Sequence, residues 1–470
     1  MAHLENNNEI SNKVTKTGDV KLSLKEKISY GFGDFGNGFM FDLGQSYLTK
    51  FFIDACGISA VAVAGIFSIT KIFDAFMDPI AGSTIDRRKA SKSGKFRPVM
   101  MISSIILAIL TVVTFMMPDV SPSTKIIYGY VAYMAWGLIY SFTNVPYGSL
   151  ASVMTRDVEE RSQLATFRQA GSLGAQLITG VAFVPILIMF TNPRIGYPVA
   201  AAIMALIGVI SFFICFKNTK EHVVINREGK SEKATAKDYL RVVFTNRPLL
   251  CLILMQLFTI SAMNTNNQMM IFFCQYNLGD IHLQPKVNGI MIGCSVIGIF
   301  AIPFLVKKFG KKKTAMVGLL IGIIANGLNF IIPTNPTTFT VLVTVGYVAL
   351  AIPNGVTWAF VSDAIDYGHW HTGIRKEGIT YAAFNFSRKI AQSIAALVSA
   401  GVLGMTGYIA NAQQSATTLL GIKGAMTLYP AIALVIAAIV VGLMHNLPDD
   451  KYREIASDLQ NGKWEKGILE

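Results

Sequence analysis

What most constrains this chain is a repeating feature, uninterrupted apolar blocks such as 99–117, 199–216, 287–306 and 426–444, separated by short polar turns. A helix that crosses the hydrocarbon core of a bilayer needs about 20 residues at 1.5 Å each. These blocks have that length. A water-soluble helix shows a polar face recurring every three or four positions, and these show almost none. Composition agrees: 52% of the residues are hydrophobic and 15% charged, against about a quarter charged in soluble domains. The chain therefore reads as an all-α integral membrane protein, with the lipid bilayer as its solvent.

Counting blocks between turn signals predicts about twelve spans, at 28–53, 60–82, 97–117, 125–150, 162–190, 196–216, 247–275, 286–306, 313–333, 338–364, 378–405 and 424–446. The longest polar connection falls after the sixth. The expected organisation is a disordered tail (1–25), a six-helix bundle (26–216), a linker (217–246), a second six-helix bundle (247–446) and a tail (447–470). The halves echo each other. Gly94-Lys95-Phe96-Arg97 opens the third span and Gly310-Lys311-Lys312-Lys313 the ninth, 94 and 310 differing by 216. Asn144 and Trp358 differ by 214, and Arg168 and Lys389 by 221. Two pseudo-repeats of six helices account for these spacings.

The formal net charge of +13 would raise the question of nucleic acid in a soluble protein. Here the positions of the charges answer it. Lys and Arg crowd into alternate loops, at 87–97, 217–247, 307–313 and Arg375-Lys376, while the loops between hold little beyond Lys125, Arg194, Lys286 and Lys423. Cytoplasmic loops retain Lys and Arg, so both termini are expected in the cytoplasm, the first with Lys13, Lys16, Lys21, Lys25 and Lys27. A multi-pass protein of the cytoplasmic (inner) membrane, monomeric and without a nucleic-acid partner, is the expectation. No cleavable signal peptide is expected ahead of the first span. The five cysteines, Cys56, Cys215, Cys251, Cys274 and Cys294, have no metal-type spacing and read as reduced, buried small residues.

An ionisable group inside the membrane is costly, so such residues usually face a cavity and mark a pathway. Asp34 and Asp42 in the first span are eight apart, on one helical face. Lys71, Asp74 and Asp78 share a face of the second. Two carboxylates at i and i+4 repel when both are ionised, so one holds a proton or both share a cation; the bland alternative is that Lys71 neutralises one and locks helices together. Ser141, Asn144 and Tyr147 follow in the fourth span, and Arg168 with Gln163 and Gln169 in the fifth. Hydrogen bonding between helices accounts for Ser141 equally well. The run Asn264-Thr265-Asn266-Asn267-Gln268 in the seventh span puts polar groups all round a helix, so it either lines water or leaves helical geometry, or else marks a helix broken by an external loop. Late in the chain come Trp358 and then Tyr381, Asn385 and Lys389, successive i+4 neighbours, while Arg388 points about 100° away from Lys389 and suits a structural role. Ring, hydroxyl, amide and ammonium together are what a sugar needs, its C–H faces stacking and its hydroxyls requiring paired donors and acceptors.

Five segments in order carry a family resemblance: Ser29-Tyr30-Gly31-Phe32-Gly33-Asp34, Asp74-Ala75-Phe76-Met77-Asp78-Pro79, Gly94-Lys95-Phe96-Arg97-Pro98, Asn144-Val145-Pro146-Tyr147-Gly148-Ser149-Leu150 and Asp363-Ala364-Ile365-Asp366-Tyr367-Gly368. They resemble the glycoside–pentoside–hexuronide:cation symporters of the major facilitator superfamily, which include melibiose, xyloside and glucuronide permeases. Within that family the stretches 128–150 and Gly407-Tyr408-Ile409-Ala410-Asn411 look closest to glucuronide and sulfoquinovose-type permeases. The resemblance implies cation-coupled transport of a glycoside, with substrate near the midplane between the halves. It matches Asp74, Asp78 and Ser141 to cation-site positions, and Asn144, Arg168, Trp358 and Lys389 to sugar-site positions. Asp34, Asp42, Asn266, Tyr381 and Asn385 join the sugar-site candidates on the reading of the residues themselves.

Departures from the family pattern carry information. Sodium-coupled melibiose permeases have an amide where this chain has Met77, and a thioether is a poor ligand for a hard cation, which favours H+ over Na+ at Asp74 and Asp78. Gly38 and Asn144 replace sugar-binding carboxylates while Arg168 and Lys389 remain, which suits an anionic sugar. Asp42 restores one charge, so a neutral pentoside or xyloside, or Na+ coupling, stays open. The expectation is no cofactor beyond the coupling ion and no enzymatic activity: no convergent intramembrane His, Cys and Ser pattern is present, His369 and His371 are expected in a cytoplasmic loop, and there is no Gly-x-x-x-x-Gly-Lys-Ser/Thr phosphate loop. A non-transporting membrane sensor would need a sizeable soluble domain, which the short hydrophilic loops do not supply.

Overall fold

The computed structural model describes residues 21–88, 91, 93–155, 157–222, 242–373, 377–465 and 467–468. Most of the expected tail, including Lys13 and Lys16, most of the 217–246 linker, and Arg375 with Lys376 lie outside the described residues. The chain is nearly all helix. In order come α1 (Leu24–Lys50, continued by a π turn over Phe51–Ala55), α2 (Ala60–Arg87), α3 (Arg97–Thr114), α4 (Pro122–Met154), α5 (Val158–Ile188) and α6 (Pro193–Asn218). Then follow α7 (Arg247–Phe272, continued by a π turn over Phe273–Asn277), α8 (Leu283–Phe309), α9 (Lys311–Ile331), α10 (Pro336–Thr372), α11 (Glu377–Met405) and α12 (Ala416–Met444, with a π turn over Gly424–Leu428). A terminal helix α13 (Asp449–Gln460) and a two-residue ladder, β1 (Lys463–Trp464) against β2 (Gly467–Ile468), complete the described chain.

Nine of the first twelve helices are long and apolar enough to cross a membrane by length and composition among the described residues. The other three, α1, α4 and α11, each carry several of the polar candidates.

The pseudo-repeat is visible in how helices begin. Ser121 caps α4 by accepting from the Thr124 N–H at 3.3 Å, with Pro122 at the first helical position. Asn335 caps α10 in the same way, accepting from Thr338 N–H at 2.8 Å ahead of Pro336. A side-chain oxygen satisfies one orphan donor and proline removes another. The third helix of each half is capped from a distance. Glu221, just past α6, accepts the N–H groups of Lys95, Phe96 and Arg97 at 2.8, 2.9 and 3.0 Å. Asp449, just past α12, accepts the Lys311 N–H at 3.1 Å. A carboxylate at a helix N-terminus also meets the positive end of the helix dipole.

The contacts divide the chain into two compact units: residues 1–44 with 73–230, and 45–72 with 231–470. In the first unit α3 packs on α4 and α6. Phe115 of the turn after α3 stacks on Tyr197 of α6 with centroids 6.0 Å apart. In the second unit α7 packs on α10, α11 and α12, and α9 on α10 and α12, around Leu252, Met255, Leu319, Phe360, Phe384 and Leu434.

Several expectations shift. The 264–268 run neither leaves helical geometry nor breaks the span: α7 runs through it to Phe272. The physical reason is back-bonding, since Asn264 Nδ2 donates to Ile260 O at 2.8 Å and Thr265 Oγ1 to Ser261 O at 2.8 Å, so part of the polar run is satisfied by its own helix. His369 and His371 lie in the last turns of α10, not in a loop, because that helix runs to Thr372. There the terminal helix packs against it: Trp370 Nε1 donates to Asp458 at 3.1 Å and Tyr452 OH to Asp366 at 3.0 Å, over a small core of Tyr367, Leu447 and Ile455. At the other end α1 starts at Leu24, where Leu22 N–H is held by Glu160 at 3.0 Å.

Candidate functional site

In the first unit, α1 and α5 approach at glycines. A Cβ on Gly171 would fall 2.2 Å from the Gly31 carbonyl oxygen, so only glycine permits this approach. One turn from that crossing on each helix, Arg168 Nε meets Asp34 Oδ2 at 3.3 Å. The Arg168 guanidinium also lies 5.1 Å from the Tyr147 ring centroid, and its side chain is 33% exposed.

The α1–α4 contact is polar and aromatic. Asn37 Nδ2 donates to Asn144 Oδ1 at 3.0 Å and to Tyr140 OH at 3.4 Å. Phe41 stacks on Tyr140 with centroids 4.7 Å apart, Tyr140 on Trp136 at 5.6 Å, and Tyr147 OH donates to Tyr30 O at 2.9 Å. Asp42 follows on α1, its Oδ2 lying against Gly38 where α1 meets Ala175 of α5.

The α2–α4 contact carries the paired carboxylates. Ser141 Oγ donates to Asp78 Oδ1 at 2.6 Å. One turn earlier on both helices, the buried Asp74 carboxylate lies against Gly137, where a Cβ would fall 1.9 Å from Oδ1. The equal four-residue steps, 74 to 78 and 137 to 141, show parallel helices in register. Asp74, Asp78 and Ser141 are thus brought together on one helix pair, while Asp34, Asn144 and Arg168 gather around α1.

The second unit holds the remaining candidates. Asn266 on α7 is buried, and neither amide atom has a hydrogen-bond partner among the described residues. An unsatisfied buried amide is costly, which marks this position as one where a polar partner would be stabilising. Trp358 on α10 is 44% exposed, unusual for so large an aromatic. It meets Phe384 of α11 edge to face at 5.5 Å, and the Arg388 guanidinium lies 5.9 Å from its ring centroid. Arg388 thus lies beside the Trp358 ring, a contact compatible with the structural role its position on α11 suits. Asn385 and Lys389 are half-buried, one turn apart on α11; the side chain of Tyr381 lies outside the described residues. Thr259 Oγ1 donates to Asn354 Oδ1 at 3.1 Å, joining α7 to α10.

Asn37, Gly137, Tyr140 and Asn354 are missed by the reading from sequence. Asn37 was findable, three residues after Asp34 in an apolar span and so on the same face. Gly137 and Tyr140 were not, since nothing in a run of small and aromatic residues signals which will lie against Asp74 and which will meet Asn37.

A family model described as MFS/sugar transport protein matches residues 29–445. An uncharacterized symporter of Bacillus subtilis, YjmB, is 51% identical over 96% of this chain and 98% of its own. A putative sulfoquinovose importer of Escherichia coli is 34% identical over 94% of this chain and 95% of its own, and the glucuronide carrier protein homolog of that organism 31% identical over 94% and 97%. Among solved structures, a variant of the nucleoside transporter NupG superposes with a TM-score of 0.64 at 15% identity, over 89% of this chain and 99% of that one, a likeness of fold. With the match running through nearly every helix described above, the chain belongs to the MFS/sugar transport protein family and is a multi-pass membrane transport protein.

Proposed function

We propose that this protein is a symporter that moves an anionic glycoside, of glucuronide or sulfoquinovose type, together with a proton. The observation that carries the reading is the α2–α4 register: Asp78 accepting from Ser141 at 2.6 Å, and Asp74 one turn away against Gly137. Two carboxylates one turn apart in a membrane helix are costly to keep both ionised, so the pair is built to take up a positive ion. Asp74, Asp78 and Ser141 offer at most five side-chain oxygens, and Met77 next to Asp78 in sequence carries only a thioether. A hard cation takes about six or more oxygens, so the donor set favours a proton.

Arg168 and Asn144 of the first unit, and Asn266, Trp358, Asn385 and Lys389 of the second, are the proposed sugar contacts, with Tyr381 and Asp42 as further candidates. Asp34 acts through Arg168, which it orients. Relatives named as a sulfoquinovose importer and a glucuronide carrier homolog support an anionic substrate. A relative named as an isoprimeverose transporter, 32% identical, favours the second reading, a neutral pentoside with H+ or Na+. The alternation of basic loops supports a cytoplasmic-membrane location with both termini inside. Binding of ion and sugar together would permit the change between outward- and inward-open states.

The test is uptake of labelled glucuronide, sulfoquinovose and xyloside into vesicles under imposed proton or sodium gradients. Proton-driven accumulation of an anionic sugar, abolished by Asp78→Asn, is expected. Uptake indifferent to both gradients, or intact coupling in Asp78→Asn, refutes the proposal.

A further inference from the structure

The membrane charges of the first unit do not balance around Arg168, and the remainder falls on Asp42. Arg168 is engaged by Asp34 at 3.3 Å. Asp42 comes eight residues later on α1, about 12 Å of helix rise, and is half-buried. Its carboxylate folds back along its own helix: a Cβ on Gly38 would fall 3.3 Å from Asp42 Oδ2 and 2.5 Å from Ala175 Cβ of α5. Glycine at position 38 leaves the room that the carboxylate borders, and the wall opposite is a methyl group. Among the described residues Asp42 has neither a hydrogen bond nor an ion pair.

The charged and titratable groups that face it are of the wrong kind to neutralise it. On α1 stands Asp34, of like sign, and on α5 Arg168, already committed to Asp34. On α4 the Tyr140 phenol lies within electrostatic reach of Asp34, Asp78, Arg168 and Asp42 together. On α2 Asp78 accepts from Ser141. No positive charge in this set is left for Asp42.

An ionised carboxylate inside the membrane without a cation beside it is costly. The ion that fits against a methyl wall is a proton, which turns the carboxylate into a neutral acid and needs no shell of further oxygens. An anion held at Arg168 makes the ionised form costlier still. Two like charges about 12 Å apart, at an effective dielectric of about 20, weaken each other's binding about tenfold. Ionised Asp42 therefore opposes an anionic sugar, and by linkage the bound anion favours the proton on Asp42 as much as that proton favours the anion. A neutral sugar has no such coupling. We infer that Asp42 takes up a proton of its own as an anionic sugar binds, separate from the ion at Asp74 and Asp78, so that the charge of the sugar sets how many protons accompany it. The step is a transfer from water to a carboxylate oxygen, and no bond of the sugar changes. It rests on the anionic-substrate part of the proposed function.

Proton uptake on binding is read by titration calorimetry of the purified full-length protein in buffers of different ionisation enthalpy. Methyl glucuronide with methyl glucoside, and sulfoquinovose with glucose, supply matched anionic and neutral probes from about pH 5.5 to 8.5. A tenfold coupling predicts that the anion takes up about half a proton more than its neutral match at the pH of greatest difference, and that its Kd rises about tenfold relative to that match as pH increases. Asp42→Asn should erase both differences, and Asp42→Glu should keep them. Equal proton uptake by anionic and neutral sugars in the native protein overturns the inference, as does an Asp42→Asn protein that retains the difference. A folded Asp42→Asn protein that binds no sugar overturns it too, because Asp42 would then be a direct sugar ligand. The native comparison needs no variant, so it decides even where Asp42→Asn fails to fold. An ion at Asp74 and Asp78 is common to both probes and cancels, so the inference can fail while gradient-driven symport stands. A native protein that binds neither anion refutes the anionic-substrate reading and this inference with it.

Discussion

Substituting Gly137 with alanine tests the α2–α4 register directly. The added Cβ would lie 1.9 Å from Asp74 Oδ1, 2.6 Å from Cγ and 2.8 Å from Oδ2, all short of the 3.4 Å of ordinary contact. Either the Asp74 carboxylate moves by about an ångström or α4 shifts away from α2; overpacking of this kind costs about 1–3 kcal/mol. Ser141, one turn further on, moves less, so the 2.6 Å bond to Asp78 survives the first course and is lost in the second. Displacing a reacting group by about 1 Å lowers rates up to about 100-fold where geometry is essential. Gly137→Ala should therefore fold, with a lowered thermal midpoint, and lose gradient-driven uptake by at least about tenfold. The assay pairs uptake in energised vesicles with thermal unfolding of the purified protein. A variant with both quantities unchanged would mean that Asp74 does not occupy the place described, and the argument for a paired carboxylate site would fall with it.

Arg168→Ala should abolish the thermal stabilisation that an anionic sugar confers on the purified protein, whereas Asp34→Asn, which removes a single 3.3 Å contact to a partly exposed partner, should only weaken it; equal losses would refute the ordering of roles. Removing the caps should cost in proportion to the donors left behind. Glu221→Ala frees three N–H groups and should destabilise by about 2–3 kcal/mol, and Asp449→Ala, which frees one, by about 1 kcal/mol, compared by denaturant or thermal unfolding. Glu160 is held below the ordinary carboxylate range by the Lys27 ammonium and then by the Leu22 N–H. A lowered folded-state value means that its stabilisation is present above the ordinary range and lost as pH falls through the lowered value. Proteolysis near residue 22 should therefore accelerate on acidification, and Glu160→Gln should remove that acid dependence; an unaltered profile in the variant would contradict it.

The number and order of the spans were legible because most of them rest on local hydrophobic length, and the shared face of Asp74 and Asp78 because helical periodicity is local too. The repeat was legible from Gly94-Lys95 and Gly310-Lys311, whose loops recur at one offset. Ends of helices were read less well. The histidines of α10 were assigned to a loop because polar residues look alike whether they follow a helix or ride on its extension beneath a packed terminal helix. For the 264–268 run the sequence left several alternatives, and side chains that bond their own helix decide for ordinary α geometry.

Sequence by itself determined that the chain is a bundle of membrane helices in two halves, and which few polar residues each helix carries. Tertiary structure alone decided their partners: Asp34 with Arg168, 134 positions away, Asn37 with Asn144, Arg388 with Trp358, and residues 45–72 with the second unit. In lipid, helices are not sorted by burying apolar faces, since the solvent is as apolar as they are. Pairing follows from how closely backbones can approach at small residues such as Gly31 and Gly171, and that fit is a property of two surfaces together, written in neither segment alone.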